Sequence, residues 1–402
     1  MKIINDPVHG FINIPRGVLL DIVKHPLMQR LTRINQLGMA YVVYPGARHS
    51  RFMHSLGAFH LMSEAIMSLQ QKGHFIFDME AEAVEAAILM HDIGHGPFSH
   101  VLEHTLIKGI SHEEISLMMM EQINRDLDNQ LGLAISIFKD ECPKHFLHQL
   151  ISSQLDMDRL DYLRRDAFFT GVSEGNIGSA RIIKMLNMVD DRLVVDYKGI
   201  NPIENYLISR RTMYWQVYLH KTVVGCEKML VNILTRAKHL AKQGKDVFAP
   251  PALEYFLHND VDAQWFATHD EALRMYETLD DNDIMSAIKV WAESDDKILS
   301  TLATNILRRN LFKVEIYDEP VPQERIDTLQ QEIAHKMGIA EKDTHYMMSV
   351  NAIQKDTYDV ADDSIAILCK DGTIKDIAEA SEILNIQTLS KKIKKYFLCY
   401  HR

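Results

Sequence analysis

The 402-residue chain is 47% hydrophobic and 25% charged, with a formal net charge of −11. That composition is globular and supplies ample core, and the acidic balance excludes a broad electrostatic grip on nucleic acid. No apolar run of about 18 residues occurs and the N-terminus lacks a signal peptide's apolar region, so a cytoplasmic protein without a membrane span is expected.

The four cysteines, Cys142, Cys226, Cys369 and Cys399, form no CxxC pair and read as thiols of a reducing compartment. The acidic stretch from Glu277 to Asp296 reads as a solvated helix and turn face. Basic residues recur instead at Arg30, Arg33 and Arg51, at Arg159, Arg164 and Arg165, and at Arg210, Arg211 and Lys221. Local basic clusters in an acidic protein suit a small anionic ligand.

In chain order, residues 3–14 read as extended, with turns at Asp6-Pro7 and His9-Gly10. Helical spacing of Leu20, Val23, Leu27, Leu31 and Ile34 predicts helix from Gly17 to about Gly38, broken at His25-Pro26. After a loop with Pro45 and Gly46, a long helix is predicted from Arg51 to Gln70, with His54 in its first turn. A second, over 79–93, runs straight into His91-Asp92. Gly94, Gly96 and Pro97 then force a turn, with Pro97 suited to the first position of the next helix, where His100 and His104 share a face. Ser111 and Glu114 form a capping box. Within the strong segment 142–166, Asp158, Tyr162 and Asp166 make one polar stripe, and Asp161 with Arg165 reads as a surface salt bridge.

Residues 186–197 predict a β-hairpin turning at Asp190-Asp191, and 202–239 a long helix with Arg210, Tyr214 and Tyr218 at spacing four. Helices continue to about Asn310. Strands at 311–317, 346–350 and 365–369, a helix at 324–336, a turn at Asp371-Gly372 and a closing strand at 396–400 after Lys391, Lys392, Lys394 and Lys395 follow. The fold class is therefore mainly α, with a short β-hairpin and a small C-terminal α/β appendage.

The chemistry concentrates at His91-Asp-Ile-Gly-His-Gly-Pro-Phe-Ser-His100. A carboxylate near a buried helix end needs a counter-charge, and a neighbouring imidazole makes a metal ion a fitting one. One His-Asp pair alone reads more readily as a capped helix end; four such residues around two glycines and a proline reverse that balance. His54, His91, Asp92 and Asp158 are the candidate ligands, a borderline-hard set for Mn, Fe, Co, Ni or Zn. His95, His100 and His112 are left nearby for proton transfer or phosphate contact.

Together with Arg51-Phe-Met-His54 and Asp158-Arg-Leu-Asp-Tyr-Leu-Arg-Arg-Asp166, this stretch resembles the HD-domain phosphohydrolases. Within them it is most similar to the deoxynucleoside triphosphate triphosphohydrolase branch, without that branch's SAM domain. Asn5-Asp-Pro-Val-His-Gly, Gln36-Leu-Gly, Tyr44-Pro-Gly-Ala-Arg-His and Tyr218-Leu-His-Lys221 extend the match over about residues 1–240. The resemblance implies an HD-domain helical core over 1–185, a helical extension over 186–310 completing the substrate site, and the appendage over 311–402. It implies that His54, His91, Asp92 and Asp158 bind the metal and that His95, His100 and His112 act at the α-phosphate. Arg51, Arg159 and Arg210 would hold the triphosphate, with magnesium on its phosphates. Gln36, Tyr162 and Asp166 would meet the sugar 3′-hydroxyl, and Leu37 with Tyr218 would crowd the 2′ edge. The implied products are a deoxynucleoside and inorganic triphosphate, and the implied assembly a homo-oligomer.

Tyr214 and Leu219 replace the histidine and glutamine of that branch. The alternatives are another HD phosphohydrolase, acting on a nucleoside monophosphate, a cyclic dinucleotide or a guanosine alarmone, and a non-catalytic nucleotide sensor.

Overall fold

Apolar residues at helical spacing along 51–71 and 78–90 produce helices α1 (Arg51–Gln71) and α2 (Asp78–Met90), which pack side by side. α1 is central: Leu56, Phe59, Leu61, Met62 and Leu69 are at most 3% exposed, and each such side chain contributes about 1.5–3 kcal/mol of burial. Ser50 caps it by accepting the Met53 amide. Helix α3 (His112–Asp126) starts at the predicted box, where Ser111 Oγ accepts the Glu114 amide and Glu114 accepts that of Ser111. Helix α4 (Met157–Thr170) is capped by Asp156, ends at left-handed Gly171 and packs across α1.

The computed structural model describes residues 1–98, 100–103, 105–355, 364–381 and 393–402, with every side chain among them except those of residues 100, 103, 354, 355 and 393. The shared face expected of His100 and His104, and the lysines Lys391 and Lys392, lie outside the described residues. No helix among the described residues is long and apolar enough to cross a membrane.

Strands β1 (Lys2–Asp6) and β2 (Gly10–Ile14) pair as an antiparallel hairpin. β3 (Leu186–Val189) and β4 (Arg192–Asp196) form the predicted second one, with Asp190 and Asp191 both at positive φ, as a two-residue hairpin turn requires. Helix α5 (Ile200–Met213) runs into one π-helical turn, Tyr214–Tyr218, before α6 (Lys221–Lys242). The C-terminal strands are β5 (Lys313–Tyr317), β6 (Met348–Lys355), β7 (Ala366–Leu368), β8 (Ile374–Asp376) and β9 (Ile393–Tyr400). They divide between two sheets. One has the order β5-β9-β6 and is antiparallel; the other is β8-β7-β4-β3, in which β7 runs parallel to β4. The mainly α class with small β elements holds.

Three expectations are corrected. The first helical stretch does not reach Gly38: short helices end at Arg33, Ile34 is extended, and Asn35 bridges Ser50. Residues 34–38 thereby become a loop, and the Gln36 amide donates to the His49 carbonyl. The helix ending in His91-Asp92 stops at Met90, and the next begins at His100 rather than Pro97. The long helix over 202–239 is two helices separated by the π turn and a break at Leu219-His220.

Two electrostatic expectations also change. Asp161 and Arg165 are a buried pair, both 0% exposed, not a surface bridge. Arg165 donates to Asp161 at 2.9 and 3.1 Å and to Asp6 of the N-terminal hairpin at 2.8 Å. The Asp280 and Asp281 portion of the acidic stretch is not solvated: both are buried. Asp281 accepts bonds from the Asn35 amide and side chain and from the Phe98 amide, joining two separate loops.

Gly57 shows how tightly the first network is built. A Cβ there would lie 2.0 Å from Asp161 Oδ1 and 2.2 Å from Arg165 Nη2. Gly57→Ala is expected to lower stability by about 1–3 kcal/mol through overpacking, despite a helix-propensity gain of about 1 kcal/mol. The readout is a lower urea midpoint at unchanged slope. Asp281 supplies a pH dependence. Burial raises its pKa from 3.8 to about 6, against the pull of the bonds from Asn35 and Phe98. A carboxyl raised in the folded state favours folding below its unfolded pKa, and that contribution is lost as pH rises through the folded value. Relative to Asp281→Asn, the wild-type thermal midpoint should therefore fall between about pH 4 and 6, and a flat difference would remove Asp281 from this role.

Candidate metal centre

Three helices converge on one point. α1 brings His54 from its first turn, His91 caps the C-terminal end of α2, and the first turn of α4 carries Asp158. Their ligand atoms all lie within 4.8 Å of one another. His54 Nε2 is 2.9 Å from Asp158 Oδ1 and 3.3 Å from His91 Nε2, and His91 Nε2 is 3.4 Å from the same Asp158 oxygen.

Both imidazoles are oriented from behind. His91 Nδ1 lies 2.7 Å from the Ile88 carbonyl, and His54 Nδ1 lies 2.7 Å from Asp161 Oδ2. A carbonyl or a carboxylate can only accept, so each Nδ1 carries the proton and each Nε2 faces the cluster. Holding the far nitrogen in this way is how proteins fix an imidazole as a metal ligand. Burial would raise the Asp161 pKa, but Arg165, His54 and His9 outweigh it and hold the carboxyl well below its usual range. His9 Nε2 sits 2.6 Å from Asp161, so the N-terminal hairpin joins the same network.

Burial lowers the His54 pKa, yet its bonds to Asp158 and Asp161 push it up to about 10. Asp158 is driven the other way, below its usual range, because His54 and His91 outweigh burial. Two imidazole nitrogens and a carboxylate oxygen converging this closely are a donor set that fits a divalent ion.

Asp92 stands beside this trio. Its oxygens lie 3.4 Å from His91 Nε2 and 3.8 Å from His54 Nε2, while Arg51 forms an ion pair with it. His95 Nε2 is 3.3 Å from Asp92. Burial and then the Arg51 charge push the His95 pKa down to about 3, so it is neutral at physiological pH. The His112 ring stacks on it, with centroids 3.9 Å apart and planes at 18°. The side chain of His100 lies outside those described.

The glycines of the motif have steric causes. A Cβ at Gly94 would meet Ser116 N at 2.2 Å and His112 O at 2.3 Å, so only glycine lets α3 approach. Ser116 then fixes the contact, accepting from the Gly94 amide and donating to the His91 carbonyl. Arg30, 1% exposed, donates to the His95 carbonyl at 2.8 Å and to Leu279 at 3.0 Å.

A cavity of about 870 Å³ opens beside the cluster. Gln36, Leu37, Arg51, Tyr162, Asp166 and Tyr218 line it, six of the eight residues expected around a substrate. Asp166 is gripped by His49 Nε2 and the Tyr218 hydroxyl, both at 2.7 Å. Arg159 and Arg210 are not in the lining. Arg159 donates to Asp156 and to the Ser153 carbonyl, and Arg210 donates to Gln154 at 2.8 Å. Sequence reasoning missed Asp161, His9, His49 and Asp281. His49 lay inside a quoted motif, but nothing in the residue order tied Asp281 to Asn35. It also missed the wall residues Glu227 and Lys228 of α6 and Ser349 and Asn351 of β6.

Metal uptake by this centre must displace the His54 proton, so affinity for Co²⁺ or Mn²⁺ is expected to strengthen as pH rises across the neutral range, with proton release seen by calorimetry in buffers of different ionisation heat. His91→Ala and Asp158→Ala should abolish binding. Asp161→Asn, which removes no ligand, should weaken it about 10–100-fold; unchanged affinity would show that Asp161 does not position His54.

Two family descriptions match the chain: HD domain over residues 51–166 and HD associated region over 177–248. The Bacillus subtilis protein YwfO is 32% identical across 97% of this chain and 90% of its own length. The human deoxynucleoside triphosphate triphosphohydrolase SAMHD1 is 28% identical over 83% of this chain, which spans 59% of that protein. Among solved structures, a phosphohydrolase from Bacteroides thetaiotaomicron is 63% identical, covers both chains fully and superposes with a TM-score of 0.97. A protein from Aquifex aeolicus is 27% identical, with a TM-score of 0.72 over 100% of this chain and 96% of its own. On these similarities the chain belongs to the HD-domain family of phosphohydrolases.

Proposed function

We propose that this protein hydrolyses deoxynucleoside triphosphates to a deoxynucleoside and inorganic triphosphate, by water attack at the α-phosphorus. The observation that carries the reading lies in the cavity lining. There the Gln36 amide oxygen is buried without a hydrogen-bond partner among the described residues, in a cavity also lined by Asp166. A sugar 3′-hydroxyl would donate to either. Leu37 and Tyr218, the latter bonded to Asp166, line the same cavity and would crowd a 2′-hydroxyl, an added group that such a site rejects by on the order of a hundredfold.

His54, His91 and Asp158, with Asp92 as a fourth ligand, would hold the ion, of Mn, Fe, Co, Ni or Zn, with magnesium on the substrate phosphates. Such an ion supplies Lewis-acid polarisation and a water acidified towards neutral pH. Neutral His95 is suited to accept or pass a proton at the phosphate, with His112 stacked behind it and His100 as a third member. Arg51, held at the cavity edge by Asp92, would neutralise phosphate charge. Residues 1–185 would form the catalytic core, 186–310 would complete the substrate site, and the protein would work as a cytoplasmic homo-oligomer. The relatives named as deoxynucleoside triphosphate triphosphohydrolases support the substrate class.

The engagement of Arg159 with Asp156 and of Arg210 with Gln154 favours a second reading, a substrate with a shorter phosphate chain such as a nucleoside monophosphate.

Purified protein with Mn²⁺ is expected to release triphosphate from dNTPs far faster than from NTPs, as resolved by ion-exchange chromatography. The His91→Ala/Asp92→Ala double variant should be inactive. His95→Ala should lose about 10²–10⁴-fold in kcat while retaining metal. A smaller residue at Leu37 or Tyr218 should admit NTPs. Release of monophosphate instead, or turnover of guanosine tetraphosphate alone, would replace this reading with the second or another HD activity.

A further inference from the structure

Two stretches of chain line the cavity and touch each other. Gln36, Leu37 and Gly38 belong to one and Phe98 to the other, and a Cβ on Gly38 would stand 3.9 Å from the Phe98 Cα. The first stretch is tied at its start to the entry of α1: the Arg51 amide donates to the Ile34 carbonyl and the Gln36 amide to the His49 carbonyl, both at 2.9 Å. The second leaves the metal centre three residues after His95 and has Phe98 at φ 53°. That left-handed conformation is costly for a residue with a side chain, and it persists only where the surroundings hold it.

The hold comes from outside the lining. Helix α7 (Asp281–Trp291) starts with Asp281, a carboxylate that is 6% exposed. Its Oδ2 accepts the Asn35 amide at 2.9 Å and the Asn35 side chain at 2.7 Å, and its Oδ1 accepts the Phe98 amide at 3.2 Å. One oxygen thus serves each stretch. The two residues before it grip the same segments. The Leu279 carbonyl accepts from Arg30, which also donates to the His95 carbonyl, and Asp280 pairs with Arg33.

We propose that Asp281 is a positioning residue for sugar selection: it fixes the Gln36-Leu37 loop against the Phe98 turn and thereby sets how strictly the cavity rejects a 2′-hydroxyl. This deepens the deoxynucleotide reading and rests on it. Asn35 directly precedes Gln36 and Leu37, so any movement of Asn35 passes along the backbone to both. Phe98, released from Asp281, is free to leave its strained conformation and with it the contact against Gly38. Steric rejection of one hydroxyl needs walls that do not yield, and a shift of about 1 Å is enough to undo it. The carboxylate is suited to the task because both its oxygens accept. An asparagine there would keep the shape but turn one acceptor into an N–H donor facing N–H groups, so it can serve Asn35 or Phe98 but not both.

The test measures kcat and KM for each dNTP and its matching NTP with Mn²⁺-loaded wild type and the Asp281→Ala, Asp281→Asn and Asn35→Ala variants. In Asp281→Ala the KM for dNTPs should rise and the dNTP-over-NTP ratio of kcat/KM should fall about ten- to a hundredfold. Asp281→Asn, and Asn35→Ala, which removes only the side-chain bond, should lower the ratio less; they carry the test if Asp281→Ala does not fold. Co²⁺ affinity should be unchanged throughout. A merely structural role would reduce the folded fraction, lowering kcat for both sugars alike and leaving KM and the ratio intact. That outcome in folded variants, or a wild type that turns over dNTPs and NTPs equally, overturns the assignment while leaving the hydrolase reading standing. No turnover of any dNTP by wild type overturns the hydrolase reading instead. Equilibrium binding of dNTPs and NTPs to the same proteins then judges Asp281 on its own. A deoxy preference weakened in Asp281→Asn sustains the assignment; equal affinities in wild type, or an unaltered preference in the variant, reject it.

Discussion

The buried carboxylate of Asp161 is the interaction on which the rest depends. It accepts from His54, His9 and Arg165 at once and is fully enclosed. A charge in that position is tolerable only if its partners are complete, since removing one member of a buried pair costs about 3–5 kcal/mol. Here two partners come from distant segments, the N-terminal hairpin and the helix bearing His54, and the third from the helix that carries both Asp161 and Asp158. The requirement to satisfy one carboxylate therefore dictates how those segments meet. Gly57, with no room for a side chain, marks where they close.

From that constraint the metal centre follows. Asp161 fixes the His54 tautomer, Ile88 fixes that of His91, and the two Nε2 atoms are left facing Asp158 across about 3 Å. Three ligand atoms so close need a cation among them. The orientation of Asp92 is set by competition: Arg51 holds it from one side, and His91 and His95 stand on the other. Below the centre, Ser116 and Gly94 lock the helix that carries His112, so the two stacked imidazoles occupy a fixed place rather than a surface loop.

Much of this was legible in the residue order because it is local. The helix running into His91-Asp92, the Ser111–Glu114 box and the Asp190-Asp191 hairpin are set by neighbours within a few positions. The ligands His54, His91 and Asp158 were legible by residue type and motif. What escaped depends on long-range burial. Asp161 and Arg165 at spacing four look like any exposed helical pair; only Asp6 and His9, more than a hundred positions earlier, make them interior. Asp281 sits in an acidic run that reads as solvated, yet it serves as the acceptor that draws the Asn35 and Phe98 loops together. Ile34 continues a helical repeat, but its backbone is taken by a bridge beside it at Asn35–Ser50, which ends the helix and turns Gln36 into the cavity. The wall contributed by β6 has no local signature, because strand pairing with β9 brings it there.

That wall has an evolutionary consequence. The atoms that would do the chemistry sit on helices locked by a buried charge network, where almost any substitution is costly. Part of the cavity lining is carried by an edge strand of a separate small sheet, held through β9 rather than through Asp161. Residues at positions such as 349 and 351 can thus be exchanged without disturbing the centre that depends on Asp161. A lineage with this architecture is free to drift in the ligand it prefers while its reaction stays constant, and divergence among relatives should accumulate at the strand before it reaches the helices.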